Sequence, residues 1–80
     1  MVEAFVMVKI EKGEFGSWLK SVAEGIQKIP GVTDVKGVLG RFDLLAKIQA
    51  NSMEEIVRIV ADEIKHTPGV QSTETLVVAF

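Results

Sequence analysis

Val2, Ala4, Val6, Val8 and Ile10 alternate with Glu3, Phe5, Met7 and Lys9, which is the two-residue period of a β-strand. Phe42, Leu44, Ala46 and Ile48 alternate with Asp43, Leu45 and Lys47 in the same way. Between these strands the period changes. Trp18, Leu19, Val22, Ile26 and Ile29 form one apolar stripe, and Ile56, Val57, Ile59, Val60 and Ile64 form another, at the i, i+3, i+4, i+7 spacing of helices facing a core. Ser52 followed three positions later by Glu55 predicts a capped start for the second helix. Glu54, Arg58 and Asp62 then fall on its solvated face. The first helix is expected to start within Gly13 to Ser17, and its interior Gly25 weakens it by about 1 kcal/mol relative to Ala.

Each helical stripe stops at a proline, Pro30 or Pro68, because the residue before proline disfavours the α region, and Gly31 or Gly69 turns the chain into the next strand. Those strands are expected over Val32 to Leu39 and Val70 to Phe80, and Gly40-Arg41 reads as a tight hairpin between Leu39 and Phe42. The order is βαββαβ. The chain also repeats itself. Ile26-Gln27-Lys28-Ile29-Pro30-Gly31-Val32 returns 38 positions later as Ile64-Lys65-His66-Thr67-Pro68-Gly69-Val70, and the same offset pairs Val8-Lys9-Ile10 with Ala46-Lys47-Ile48.

Two βαβ units with right-handed crossovers interleave into one four-stranded antiparallel sheet with two helices on one face, an α+β, ferredoxin-like architecture. Its central strands should be the first and third. Helices cover one face only, yet Phe5, Met7 and Leu45 lie on the other. An apolar sheet face marks an interaction surface, so these three residues are expected at the interface of a homodimer packed sheet to sheet, a dimeric α+β barrel.

Composition agrees. Eighty residues make one domain, 1–80, whose small core calls for a supplement such as oligomerisation. Hydrophobic residues at 48% exclude a disordered chain. A net charge of −2 with scattered Lys and Arg gives no phosphate-tracking stripe, so direct nucleic-acid binding is not expected. The absence of cysteine excludes disulfides and thiol chemistry, and no apolar run approaches the about 20 residues of a membrane span. A cytoplasmic protein with no membrane association is the expectation.

Chemistry-bearing residues are sparse. His66, the only histidine, sits by the end of the second helix without a second ligand nearby in sequence, and the helix dipole accounts for it. Gly13 and Gly16 lack phosphate-loop spacing, and Trp18 is read as a packing residue. Ser72, Thr73 and Thr75 suit an edge strand, whereas Asp43, just after the hairpin, is either a solvated strand-end carboxylate beside Arg41 or a binding group. No catalytic set, metal spacing or cofactor motif appears, and the chain is not expected to be an enzyme.

Ile29-Pro30-Gly31-Val32 through Leu39-Gly40-Arg41-Phe42-Asp43-Leu44-Leu45, with Pro68-Gly69-Val70-Gln71-Ser72-Thr73-Glu74-Thr75, resembles the C-terminal effector-binding (RAM) domain of Lrp/AsnC transcriptional regulators. The specific elements are a Gly-x-aromatic-Asp turn at Gly40, Phe42 and Asp43 and a Pro-Gly-Val-x-x-Thr-x-Thr ending. Phe42 stands where tyrosine is also common. The chain shows no helix-turn-helix and looks like a stand-alone form of the module. The resemblance implies dimers that assemble into octamer or decamer rings, association with full-length Lrp/AsnC regulators, and an amino-acid effector held between subunits. Leu39, Gly40, Arg41, Phe42, Asp43, Thr73 and Thr75 are its candidate ligand residues. Asp43 would take the ammonium, and backbone N–H groups around Gly40 and Arg41, with Thr73 and Thr75, the carboxylate.

Two other readings stay open. One is a small dimeric ferredoxin-like barrel enzyme, which needs a polar pocket between helices and sheet. The other is an ACT-like amino-acid sensor, with its site in the loop from Glu11 to Gly16.

Overall fold

The computed structural model describes residues 1–11 and 17–80. Its elements run β1 (Val2–Ile10), α1 (Ser17–Gln27), β2 (Val32–Gly37), β3 (Leu44–Ala50), α2 (Met53–Arg58) and β4 (Val70–Val77), and α2 continues directly into a π-helical segment, Ile59–Ile64. The strands form one antiparallel sheet in the order β2-β3-β1-β4. This is the α+β ferredoxin-like arrangement, with the first and third strands at the centre. The expected start of α1 between Gly13 and Gly16 lies outside the described residues.

The sequence repeat is a structural pseudo-twofold. Ile29 N–H donates to Ile26 O and Val32 N–H to Ile29 O, and 38 positions on Thr67 N–H donates to Ile64 O and Val70 N–H to Thr67 O. The carbonyls of Gly31 and Gly69 each accept a 2.9 Å bond, from Gln49 N–H and Glu11 N–H, again 38 positions apart. Even the irregularities match. β2 bulges against β3 between Val32 and Asp34, and β4 shifts against β1 where Val70 and Ser72 meet Ile10 and Lys9.

Period-2 alternation places Ala4, Val6, Val8 and Ile10 of β1 and Leu44, Ala46, Ile48 and Ala50 of β3 on the buried face. Val22 and Ile26 of α1 and Ile56, Ile59, Val60 and Ile64 of the second helix close over them. Alanines at the sheet centre leave room for these larger helix residues. Each fully buried isoleucine contributes about 1.5–3 kcal/mol relative to an exposed one.

The Pro-Gly turns let each half receive the other half's helix. Gly31 (φ 100°) faces Ile59, and Gly69 (φ 95°) faces Val22 and the Trp18 ring. A Cβ on Gly69 would sit 2.6 Å from Val22 Cγ2 and 3.0 Å from Trp18 Cζ2. Trp18 is therefore a lid on this turn, partly exposed rather than central.

Three expectations shift. Ser52 caps α2, its Oγ accepting from Glu55 N–H at 3.2 Å, but Val57 is exposed instead of inward. Lys65 N–H donates to Val60 O, an i→i+5 bond, and this wider turn brings Ile64 back into line with Ile59, so the inner stripe moves away from Val57. The same widening pairs Arg58 with Glu63, five positions on, at 2.9 Å. Finally, β2 stops at Gly37 and β3 starts at Leu44, so the connection is a wide loop from Val38 to Asp43 and not a tight Gly40-Arg41 hairpin; β4 likewise ends at Val77 rather than Phe80. Alternation at Phe42 continued the strand's parity, but the backbone of Asp43 turns to β1, its N–H donating to Val8 O.

Gly69→Ala should cost about 2–4 kcal/mol, since positive φ and overpacking against Val22 act together. Gly40→Ala should cost less in the same urea titration, because Gly40 (φ 142°) has nothing near the added Cβ and strain acts alone. Equal losses would contradict the packing role of Gly69.

Candidate functional site

Cross-strand register defines the sheet face that the helices leave open. One row runs Glu74, Met7, Leu45, Lys36 across all four strands, and the next runs Leu76, Phe5, Lys47, Asp34. Phe5, Met7 and Leu45 are thus neighbours at the centre of this face, half-buried within one subunit. Charged residues around them pair locally. Glu3 accepts from Gln49 Nε2 at 2.7 Å and lies 3.5 Å from Lys47 Nζ, and Asp34 lies 3.3 Å from Lys36 Nζ. The Gln49 amide first, and the Lys47 charge second, hold the Glu3 carboxyl below its usual value.

The loop from Val38 to Asp43 stands at one end of this face. Val38 N–H donates to Asp43 O at 3.0 Å. Asp43 fastens the loop to β1: its N–H donates to Val8 O, and its Oδ2 accepts from Ile10 N–H, both at 2.9 Å. Ile10 lies beyond the last β1–β3 pair, Val8 with Leu44, so this N–H would otherwise lack a strand partner, and the Asp43 carboxylate extends the ladder by one side-chain rung. Lys9 Nζ is a further 3.8 Å contact of the same oxygen. Asp43 is half-buried and engaged.

Leu39, Arg41 and Phe42 meet Met7, Val38, Leu45 and Glu74 around a concavity of about 440 Å³ on the open face. Gly40 lies in the same loop. Thr73 and Thr75 do not join them. They pair with Val8 and Val6, whose side chains enter the core, so both threonines face the helix side of the sheet. Within one subunit the candidate ligand residues therefore divide between two faces.

Sequence reasoning missed Glu74. Its position between Thr73 and Thr75 already implies the opposite face, but only the β4–β1 register sets it beside Met7. Among the described residues neither Arg41 nor Glu74 belongs to an ion pair.

The remaining candidates lie elsewhere. His66 is exposed in the turn after the second helix, and no group of described residues has the makings of a metal site. Between helices and sheet the described residues bury no polar or charged side chain. The Glu11 to Gly16 loop of the ACT-like reading falls largely on residues 12–16, outside the described set. No described helix is long and apolar enough to cross a membrane.

The model of the Lrp/AsnC ligand binding domain matches residues 3–79. The chain belongs to this family. An uncharacterised HTH-type transcriptional regulator of Pyrococcus horikoshii is 42% identical over 74 residues, which is 92% of this chain and 49% of the regulator. This Lrp/AsnC domain thus spans about half the length of the curated regulators it matches. A homocitrate synthase of Saccharolobus islandicus is 34% identical over 77 residues, 96% of this chain but 16% of the synthase. Among solved structures, a Thermus thermophilus protein superimposes with a TM-score of 0.88 at 31% identity, covering 100% of this chain and 95% of that one. A Neisseria meningitidis transcriptional regulator, solved as its complex with L-Met, gives 0.86 at 24% identity over 99% of this chain and 50% of that one, a likeness of fold.

Replacing Asp43 by Ala leaves Ile10 N–H without its carboxylate and should lower stability by about 1–3 kcal/mol in urea titration. A neutral result would remove the rung. The stability Glu3 adds is present at neutral pH and is lost as pH falls through the ordinary 4.5 toward its lowered folded value. The thermal midpoint of the wild type should exceed that of Glu3→Gln at pH 7, and the gap should narrow as pH falls below 4.5; a gap that widens on acidification contradicts the assignment.

Proposed function

We propose that this Lrp/AsnC domain senses an amino acid and converts binding into a change in the association of its own copies, or of its copies with DNA-binding members of the family. The carrying observation is that the 440 Å³ concavity and the apolar strip Phe5, Met7, Leu45 share one sheet face. A second copy laid on that face covers the strip and closes the concavity, so ligand binding and association are thermodynamically linked.

The comparisons support the two halves of this reading. The domain corresponds to about half of the HTH-type regulators, and a structure of the same fold binds L-Met. Its likeness to a small part of a homocitrate synthase supports a sensor that serves different effector machinery. Dimers, and rings of dimers, are the expected forms. Thr73 and Thr75, on the other face, reach the loop residues Gly40 and Arg41 only if a neighbouring subunit supplies one of the two sets. With a net charge of −2 the chain acts on DNA through a partner, in the cytoplasm, and catalyses nothing itself.

Light scattering at micromolar concentration should give at least a dimer mass, and Leu45→Asp, which sets a charge in the middle of the strip, should give monomers that remain folded. A monomeric wild type would defeat the proposal, as would a set of amino acids none of which binds in calorimetry.

A further inference from the structure

We infer that each βαβ half of this chain recognises the complementary half from whichever copy supplies it, so that two copies can exchange halves across residues 38–43 into a swapped dimer. The topology carries this step, which holds whatever the open sheet face binds.

Residues 1–40 hold β1, α1 and β2, and residues 41–80 hold β3, the second helix and β4. In the order β2-β3-β1-β4 the two strands of one half are always separated by a strand of the other. The ladders β1–β3, β1–β4 and β2–β3 therefore all cross between halves, and among the described residues none lies within one. The bonds that supplement them cross as well: Gln49 N–H to Gly31 O, Glu11 N–H to Gly69 O, and Ile10 N–H to Asp43 Oδ2. So do the seats of Ile59 on Gly31 and of Val22 on Gly69. A half on its own is two unpaired strands beside a helix, and at about 40 residues it is too small for an independent core. Its sheet exists only against its complement, which makes the surface between halves a binding surface.

The connection between the halves is slight. Residues 38–41 are exposed, and a Cβ on Gly40 would meet nothing within 4 Å. One bond spans the loop, Val38 N–H to Asp43 O at 3.0 Å. Asp43 belongs to the second half, so its bonds to Val8 and Ile10 form equally well on β1 of another copy. When the loop straightens, β2 of one copy runs on into its own β3 and pairs with β3 of the second copy. Every ladder is then remade in the same register. A short connector favours the closed form until the copies approach its effective concentration, about millimolar.

The chain has no cysteine, so an introduced pair reports which copies meet. Val6 and Ala46 lie opposite each other in the β1–β3 ladder, on the helix side and away from the open face. Opposed residues of antiparallel strands are within disulfide reach. The full chain carrying Val6→Cys and Ala46→Cys, refolded from urea under oxidising conditions, should close its disulfide within one chain at micromolar protein. The share of folded, covalently linked dimer should rise about in proportion to concentration toward about 1 mM. With residues 39–42 removed, the chain cannot reverse between Val38 and Asp43, and covalent dimer should be the main folded product. Face-to-face association alone leaves each disulfide inside its own chain, so it cannot mimic this result. Val8→Cys with Thr73→Cys, opposed in the β1–β4 ladder, repeats the measurement should the first pair fail to fold.

A protease site inserted between Gly40 and Arg41, cut after folding, should leave the circular dichroism native and make the unfolding midpoint rise with protein concentration. A cut chain that loses its fold overturns the inference, and so does a native-loop chain whose disulfide stays within one chain at every concentration. A shortened chain that folds with its disulfide inside one chain overturns it as well; if the shortened chain does not fold, the native-loop series decides.

Discussion

Two helices on one face of a four-stranded sheet leave the other face to be dealt with by other means, and most of this molecule follows from that constraint. On the helix side, alternation in β1 and β3 supplies a continuous apolar floor, and small residues at its centre let Ile26, Ile56, Ile59 and Ile64 close over it. The Pro-Gly turn of each half seats a side chain from the opposite helix, Ile59 on Gly31 and Val22 on Gly69, so neither half is packed until the other is present. The repeat is cooperative by construction. A single βαβ unit would expose the face that its counterpart covers.

On the open side, charged residues around the rim pair with one another and leave an apolar middle. In the proposed dimer a second copy covers that middle without breaking the local ion pairs. The loop from Val38 to Asp43 adds height at one end. Its fixed position depends on Asp43, whose carboxylate completes the β1 ladder where β3 has ended. A backbone requirement thus sets the wall of the concavity.

The fold was legible in considerable detail. The 38-residue repeat, read from Ile26 to Val32 and Ile64 to Val70, returned as matched hydrogen bonds, matched bulges and matched positive-φ glycines. Less legible were places where local pattern and backbone part company. Val57 belonged to a helical stripe by spacing, but an i→i+5 turn shifted the stripe. Phe42 and Asp43 kept the parity of β3, but Asp43 bonds to β1. At the site, the Gly40 to Asp43 turn stood out by its motif, while Glu74 passed unnoticed between two threonines whose motif drew attention to them.

Side-chain period, prolines and glycines are local properties, and they were enough to determine element order, the buried face of each strand, the central pair of strands and the apolar strip Phe5, Met7, Leu45. Tertiary structure alone decided which residues from distant strands become neighbours. Glu74 and Met7 are far apart in the chain and meet only through the β4–β1 register, and Asp43 acquires a structural duty only because β1 outlasts β3. Cross-strand neighbours depend on register, a relation between strands that no single segment encodes. For that reason the sequence identified the apolar face that the helices leave open, and the structure determined which charges flank its concavity.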